Sequence, residues 1–344
     1  MYIHQTTCIS PQQTFSDINL EKLNVSVNNV LNVIEPKYED IPLNILRRMG
    51  KAVRMGIGAA MQICKLNNVD GIIIGTANGG MEDCIKFLNQ IKTFDEGKLT
   101  PTNFVQGTPN TIASQLGLLI KNNGYNITHV HRGLAFENAL IDAQMYLSEN
   151  PNNNILVGGI DEISTYNYNI EKLGGWYKNE IIKNSELYNN NTKGTIAGEG
   201  VSMFLLNNNE ENAITKIELI KTISTNNEIE VAAQLKLILK NKNIDVLITG
   251  ENSDNRLQKY FEVCENIVNA NTLIVRYKHF CGEYPTASAI SLWLACEFIK
   301  NQNIPQHFIK CNSNKSSYKN FLIYNNYKGE QHSFMLVTDV THRY

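Results

Sequence analysis

Apolar residues in this chain fall into two alternating patterns, short unbroken runs and longer stretches with apolar positions every three or four residues. The runs predict strands and the spaced stretches predict helices. A first strand spans Tyr2 to Ser10 and stops at Pro11. Residues 44–67 place Ile45, Met49, Val53, Met55, Ile57 and Met61 at helical spacing and predict one helix. Val69 to Gly75 predicts a buried strand, turned by Asn78, Gly79 and Gly80 into a helix over Met81 to Ile91. Residues 108–123 predict a helix with Pro109 at its first position, where a missing N–H costs nothing. Ile127 to Val130 predicts a strand, Gly133 to Leu147 a helix, and Asn154 to Gly158 a strand. Residues 167–193 are polar, aromatic and Asn-rich and predict a long loop. Val201 to Leu206 and Ile214 to Ile223 predict strands, Glu230 to Lys240 a helix, and Ile244 to Gly250 a strand. Such alternation predicts an α/β fold with buried sheets.

The chain also repeats itself. Asp70 to Gly79 and Asp245 to Asp254 share an Asp, an apolar strand, a Gly and an Asn in the following turn. Each is followed by a glycine-led helix, at Gly133-Leu134-Ala135-Phe136 and at Gly282-Glu283-Tyr284-Pro285. A duplication into two α/β halves, 1–210 and 211–344 in one compact unit, accounts for both.

Composition narrows the function. The 31 basic and 33 acidic residues give a net charge of −2, so no electrostatic footprint for nucleic acid or an anionic membrane is expected. No apolar run reaches the length of a membrane-spanning helix, and the N-terminus lacks a basic region followed by an apolar stretch. A cytoplasmic protein is expected. The seven cysteines include no Cys-x-x-Cys, which predicts reduced thiols and no zinc site. No metal and no cofactor are expected. Gly75, Gly79 and Gly80 do not follow the spacing of a phosphate-binding loop and are read as a turn.

Five segments, in order, resemble the thiolase-fold β-ketoacyl synthases. They are Leu99-Thr100-Pro101-Thr102-Asn103-Phe104 with Asn110, Val157-Gly158-Gly159-Ile160-Asp161-Glu162, Ala197-Gly198-Glu199-Gly200-Val201, Lys278 followed by Gly282, and Pro285-Thr286-Ala287-Ser288-Ala289. The resemblance implies a five-layered αβαβα fold of two pseudo-twofold-related halves and an obligate dimer. It also implies a nucleophilic Cys at the start of the central helix, where the helix dipole and backbone N–H groups lower the thiol pKa and form an oxyanion hole. Here that stretch reads His129-Val130-His131-Arg132-Gly133-Leu134-Ala135-Phe136-Glu137. Alignment on Phe136 puts Gly133 at the nucleophile position, and a shifted one puts His131 or Arg132 there. The family's two His positions fall on Glu251 and Glu283, while its lysine is retained as Lys278.

A neutral His donates a hydrogen bond to a developing oxyanion, and an ionised Glu only accepts. A carboxylate about 4 Å from the reacting anion is repulsive by about 4 kcal/mol at an effective dielectric near 20. That is about three decades of rate in the wrong direction. The resemblance therefore points to the chain-length-factor-like subunits of bacterial aryl-polyene, flexirubin-type and polyketide pathways, which keep the fold and lose the nucleophile. It implies pairing with an active ketosynthase subunit, contact with an acyl carrier protein, and a tunnel that limits acyl length. Thr108, Ile112 and Gln115 are the expected gate or dimer face, and His131, Arg132, Phe136 and Glu137 the expected pocket. Two other readings stay open: a condensing or acyl-transfer enzyme using Glu251, Glu283, His131 or Cys281, with one carboxyl protonated by burial or by Glu251–Glu283 repulsion, and a homodimeric acyl-binding module.

The plainer expectations are these. Arg132 and Glu137 form a buried ion pair at the pocket floor, His129 and His131 share one side of a strand as structural residues, and Cys281 and Cys84 are inert core thiols.

Overall fold

The computed structural model describes residues 1–94, 97–240 and 242–341. The strands are β1 (Tyr2–Ile9), β2 (Val30–Leu31), β3 (Gly71–Gly75), β4 (Tyr125–His129), β5 (Ile155–Asp161), β6 (Ala197–Gly198), β7 (Gly200–Asn207), β8 (Thr215–Ser224), β9 (Val246–Thr249), β10 (Leu273–Arg276), β11 (Ile309–Cys311), β12 (Asn320–Tyr327) and β13 (Gln331–Asp339). The helices are α1 (Leu43–Leu46), α2 (Lys51–Cys64), α3 (Met81–Phe94), α4 (Pro101–Gln106), α5 (Thr111–Ile120), α6 (Ala135–Glu149), α7 (Thr165–Leu173), α8 (Glu228–Leu239), α9 (Gln258–Glu265), α10 (Lys278–Cys281) and α11 (Ser288–Asn301).

Eleven strands join in the order β11-β10-β9-β12-β13-β8-β1-β7-β5-β3-β4, and β2 pairs with β6 apart from them. The order contains one pattern twice. In β4-β3-β5-β7-β1 the first three strands are parallel and the last two alternate antiparallel. The set β10-β9-β12-β13-β8 has the same directions. The two sets touch edge to edge only at Tyr2↔Lys216 and Ile3↔Thr215.

Alternation within the strands divides the core. Ile73 and Val157 point inward, toward Phe136 and Leu140 of α6 and Trp293 and Phe298 of α11, as do Val246 and Ile248 from the other sheet. Their neighbours Ile72, Ile74 and Leu156 point outward to α2 and α5, while Leu247 points outward to α8 and α9. The layers are thus helices, sheet, central helices, sheet, helices. Both faces of each sheet are buried, which is why these strands read as unbroken apolar runs.

The repeated Asp has a matching task in each half. Asp70 donates its N–H to the Asn154 carbonyl and accepts the Asn154 N–H on its carboxylate at 2.7 Å. Asp245 donates its N–H to the Asn320 carbonyl and accepts the Lys319 and Asn320 N–H groups, each at 2.8 Å. Each Asp fixes the start of β5 or β12 beside the strand it pairs with.

Several predicted elements need correction. The helix expected over 44–67 is two, because Gly50 is extended and donates its N–H to Gln106 Oε1. Pro109 does not open a helix. It lies in the turn between α4 and α5, where Thr111 Oγ1 bonds back to the Val105 carbonyl and Pro101 holds the first position of α4. The loop expected over 167–193 contains most of α7 and a 3₁₀ turn at Asn184–Asn189. Ser164 caps α7 by accepting from the Asn167 N–H at 3.2 Å, and the helix buries no residue, so it left no apolar period to detect. The second glycine-led helix starts at Ser288, after the turn through Gly282.

Candidate functional site

The starts of α6 and α11 meet at the ends of β3, β5, β9 and β12. Asp161, the last residue of β5, ties them together. It accepts the Ala77 and Asn78 N–H groups, the Thr76 hydroxyl, and both the N–H and hydroxyl of Thr286. Burial pushes its carboxyl up to about 6, against those hydrogen bonds.

Chain entry to α6 is a 3₁₀ turn, Arg132–Leu134, with Arg132 at φ +47°. Gly133 is buried under the β12–β13 hairpin. A Cβ on it would lie 2.2 Å from Tyr327 Cβ, so only glycine fits. Its N–H, the donor that an oxyanion at this helix start would need, instead donates to Gln331 Oε1 at 2.9 Å. Tyr327 is 9% exposed and fills the space above the turn.

Lys278 comes from the single turn α10 and is fully buried. Its ammonium bonds Glu283 Oε1 at 2.7 Å, and Asn252 Nδ2 donates to Glu283 Oε2 at 2.7 Å. Gly282, at φ +74°, brings Glu283 round beneath Ala197 and Gly198, where added Cβ atoms would strike backbone. Glu199, fully buried, accepts from the Val33 and Ile163 N–H groups and from Lys51, which holds this part of the N-terminal half together.

The expected site residues separate on this frame. Glu251 does not face Glu283. It points into a second cluster, bonding Arg276 Nη1 at 3.3 Å and Lys310 Nζ at 2.5 Å, with Lys310 also held by Glu265. Each carboxylate has its own cation, and Asn252 rather than Glu251 makes the contact with Glu283. Arg132 and Glu137 do not pair either. Arg132 is exposed, while Glu137 is fully buried and accepts from Ser333 Oγ at 2.7 Å. Burial pushes the Glu137 carboxyl up, partly opposed by the Ser333 and Ser288 hydroxyls and the Lys278 charge.

Phe136 is core, its ring 5.6 Å from that of Phe204. Ile112 is also core, 1% exposed and packed against α2 at Gly56. Thr108 is exposed, and half-buried Gln115 borders a shallow surface hollow with Arg48 and Val105. His131 bonds Asn138 at 2.9 Å and His129 bonds Asp142 at 2.7 Å, one turn apart on α6, so both face the same helix. Cys281 is buried, its thiol pushed up by burial and set against the Gly282 carbonyl. Cys84 is half-buried on α3, which has no buried residue, and is not a core thiol.

A cleft opens beside Glu283, with about 610 Å³ of empty space including its mouth. Asn78, Glu162, Trp176, Tyr284 and Tyr327 line it. Asn252, Tyr327 and Gln331 were invisible as site residues in the sequence. Gln331 lies 198 positions from Gly133, and no local spacing signals that contact.

Among the described residues, then, the site offers no thiol at a helix start, no free N–H at Gly133 and no uncompensated lysine. The repeated strand order and the meeting of two central helices define a thiolase-like fold. Within that class, residues 25–173 match the model of the β-ketoacyl synthase N-terminal domain, and the chain has the ketosynthase fold. A search of curated proteins gave no match. Among solved structures, a β-ketoacyl synthase from Burkholderia phymatum STM815 matches with TM-score 0.78 and 15% identity over 98% of this chain and 99% of that one. A ketosynthase (ApeO) in complex with its chain length factor (ApeC) from Xenorhabdus doucetiae matches with TM-score 0.76 and 13% identity, covering 98% of both chains. The ishigamide ketosynthase/chain length factor matches with TM-score 0.75 and 12% identity, again over 98% of both. No helix among the described residues is long and apolar enough to cross a membrane.

Proposed function

We propose that this chain is a non-condensing ketosynthase-like subunit. In this reading it pairs with an active, Cys-bearing ketosynthase, receives chains from an acyl carrier protein through that partner, and helps set acyl length in a polyene or polyketide type of synthesis in the cytoplasm. The observation that carries the reading is the start of α6. On the resemblance the nucleophile position falls on Gly133, whose N–H is held by Gln331 and which lies directly under Tyr327. The resemblance puts the family's two His positions on Glu251 and Glu283, and both of these carboxylates are ion-paired. An ion-paired carboxylate accepts hydrogen bonds and stabilises no oxyanion. The chain length factors named among the structural matches support the partner role by analogy of fold.

Intact-mass spectrometry after incubation with acyl- and malonyl-loaded carrier protein tests it. The mass stays unchanged, while a Cys-bearing synthase gains one acyl group under the same conditions. An acyl adduct on this chain would instead support an active enzyme with an altered site, and peptide mapping would name its nucleophile.

A further inference from the structure

We propose that the cleft beside Glu283 is a binding site for an organic ammonium group, such as the end of a linear alkyl amine or diamine. Glu162 would be its counter-ion and Trp176 its aromatic wall. This does not depend on the presence of a partner subunit.

The charges lining the cleft carry the argument. Four carboxylates line it and one lysine does. Three of the carboxylates have a cation at ion-pair distance: Glu283 with Lys278, Glu171 with Lys328, and Asp254 with Arg256. Glu162 has none among the described residues. Its Oε2 accepts the Ala52 N–H at 3.0 Å, and its other oxygen has no hydrogen-bond partner. The cleft is left with one unbalanced carboxyl, and an entering carboxylate or phosphate would meet repulsion from it.

The wall already accommodates an ammonium. Lys328 Nζ lies 5.0 Å from the Trp176 ring centre and 5.2 Å from that of Tyr327, and the Arg256 guanidinium, paired with Asp254, lies 4.1 Å from the Trp176 ring centre. An ammonium over an aromatic face, backed by a carboxylate, is a favourable arrangement in a partly dry site. Lys328 reaches it from a left-handed turn position at φ +57°. Further in, Thr195 is 2% exposed and lines the cleft, and its Oγ1 lacks a partner. Buried polar atoms are ordinarily paired, and this hydroxyl can accept from an ammonium.

Glu162 also gives the site a pH signature. Burial pushes its carboxyl up to about 7, Glu199 and Asp83 push the same way, and the Ala52 N–H and Lys51 oppose them. An ammonium needs the ionised form, so binding strengthens as pH rises from about 6 to about 8.

The test is titration of the full-length chain with 1,5-diaminopentane hydrochloride, n-butylammonium chloride or sodium butyrate at matched ionic strength. Calorimetry and tryptophan emission read the binding. The chain has two tryptophans and Trp293 is buried in the core, so Trp176 reports the cleft and Trp176→Phe removes the signal. The proposal expects saturable binding of both ammonium salts and none of butyrate. Glu162→Gln, which keeps the acceptor for Ala52, weakens ammonium binding at least tenfold and abolishes its pH dependence. Lys328→Asn, which removes the resident cation and suits a left-handed turn, tightens it several-fold. Equal binding of butyrate, no saturation by either ammonium salt, or an affinity unchanged in Glu162→Gln would each overturn the proposal.

Discussion

Lys278 is fully buried and its ammonium holds one carboxylate, that of Glu283. Two charges taken from water recover that cost only through each other, so removing one partner strands the other. Glu283→Gln is expected to cost about 3–5 kcal/mol in urea unfolding, and Lys278→Met with Glu283→Gln less than the sum of the single changes. Additive losses would mean that the pair is not a unit. Gly133 gives a second expectation. A Cβ added there would lie 2.2 Å from Tyr327 Cβ, a separation no side chain tolerates. Gly133→Ala therefore costs about 1–3 kcal/mol by overpacking, and Tyr327→Gly in the same chain recovers most of it. A harmless Gly133→Ala would show that the turn yields, and would reopen the question of a usable nucleophile position.

At the scale of elements, the two Asp clamps are equivalent in place but not in charge. Asp245 also pairs with Lys315, and despite the opposing effect of burial its carboxyl sits below its ordinary value, through Lys315 and the Lys319 and Asn320 N–H groups. A carboxyl lowered on folding contributes stability above its unfolded pKa and loses it as pH falls through the folded one. Asp245→Asn should thus destabilise at pH 7 by about 1–2 kcal/mol, with the difference from the parent vanishing in acid. Equal losses at pH 7 and in acid would show that the charge is immaterial. These clamps were legible as a repeated Asp-strand-Gly pattern, and the strands they anchor were legible because they are buried on both faces. The break at Gly50 was hidden, because it is set by Gln106 from a distant helix. The helix α7 was hidden because it buries nothing. The site was legible only in part. The absence of Cys at the α6 entry and the Lys278–Gly282–Glu283 turn can be read locally. The direction of Glu251 cannot, since Lys310 and Arg276 decide it from β11 and β10.

At the scale of the whole molecule, the two sets of strands meet at one short edge contact between β1 and the start of β8, just after the connection that spans residues 208–214. The inner hydrophobic cluster, in contrast, is continuous through α6 and α11 from one sheet to the other. The β12–β13 hairpin reaches over the turn at Gly133, so the contact there is set by residues about 200 positions away and not by local sequence. On the proposed reading, the chain has its effect through a partner. The direct measurement is reconstitution: ketoacyl products from acyl- and malonyl-loaded carrier protein, analysed by mass spectrometry, for this chain alone, for a Cys-bearing ketosynthase from the same source alone, and for the co-purified pair. The account predicts no product from this chain alone, and from the pair a product whose length or yield differs from that of the ketosynthase alone. Ketoacyl product formed by this chain alone would contradict it.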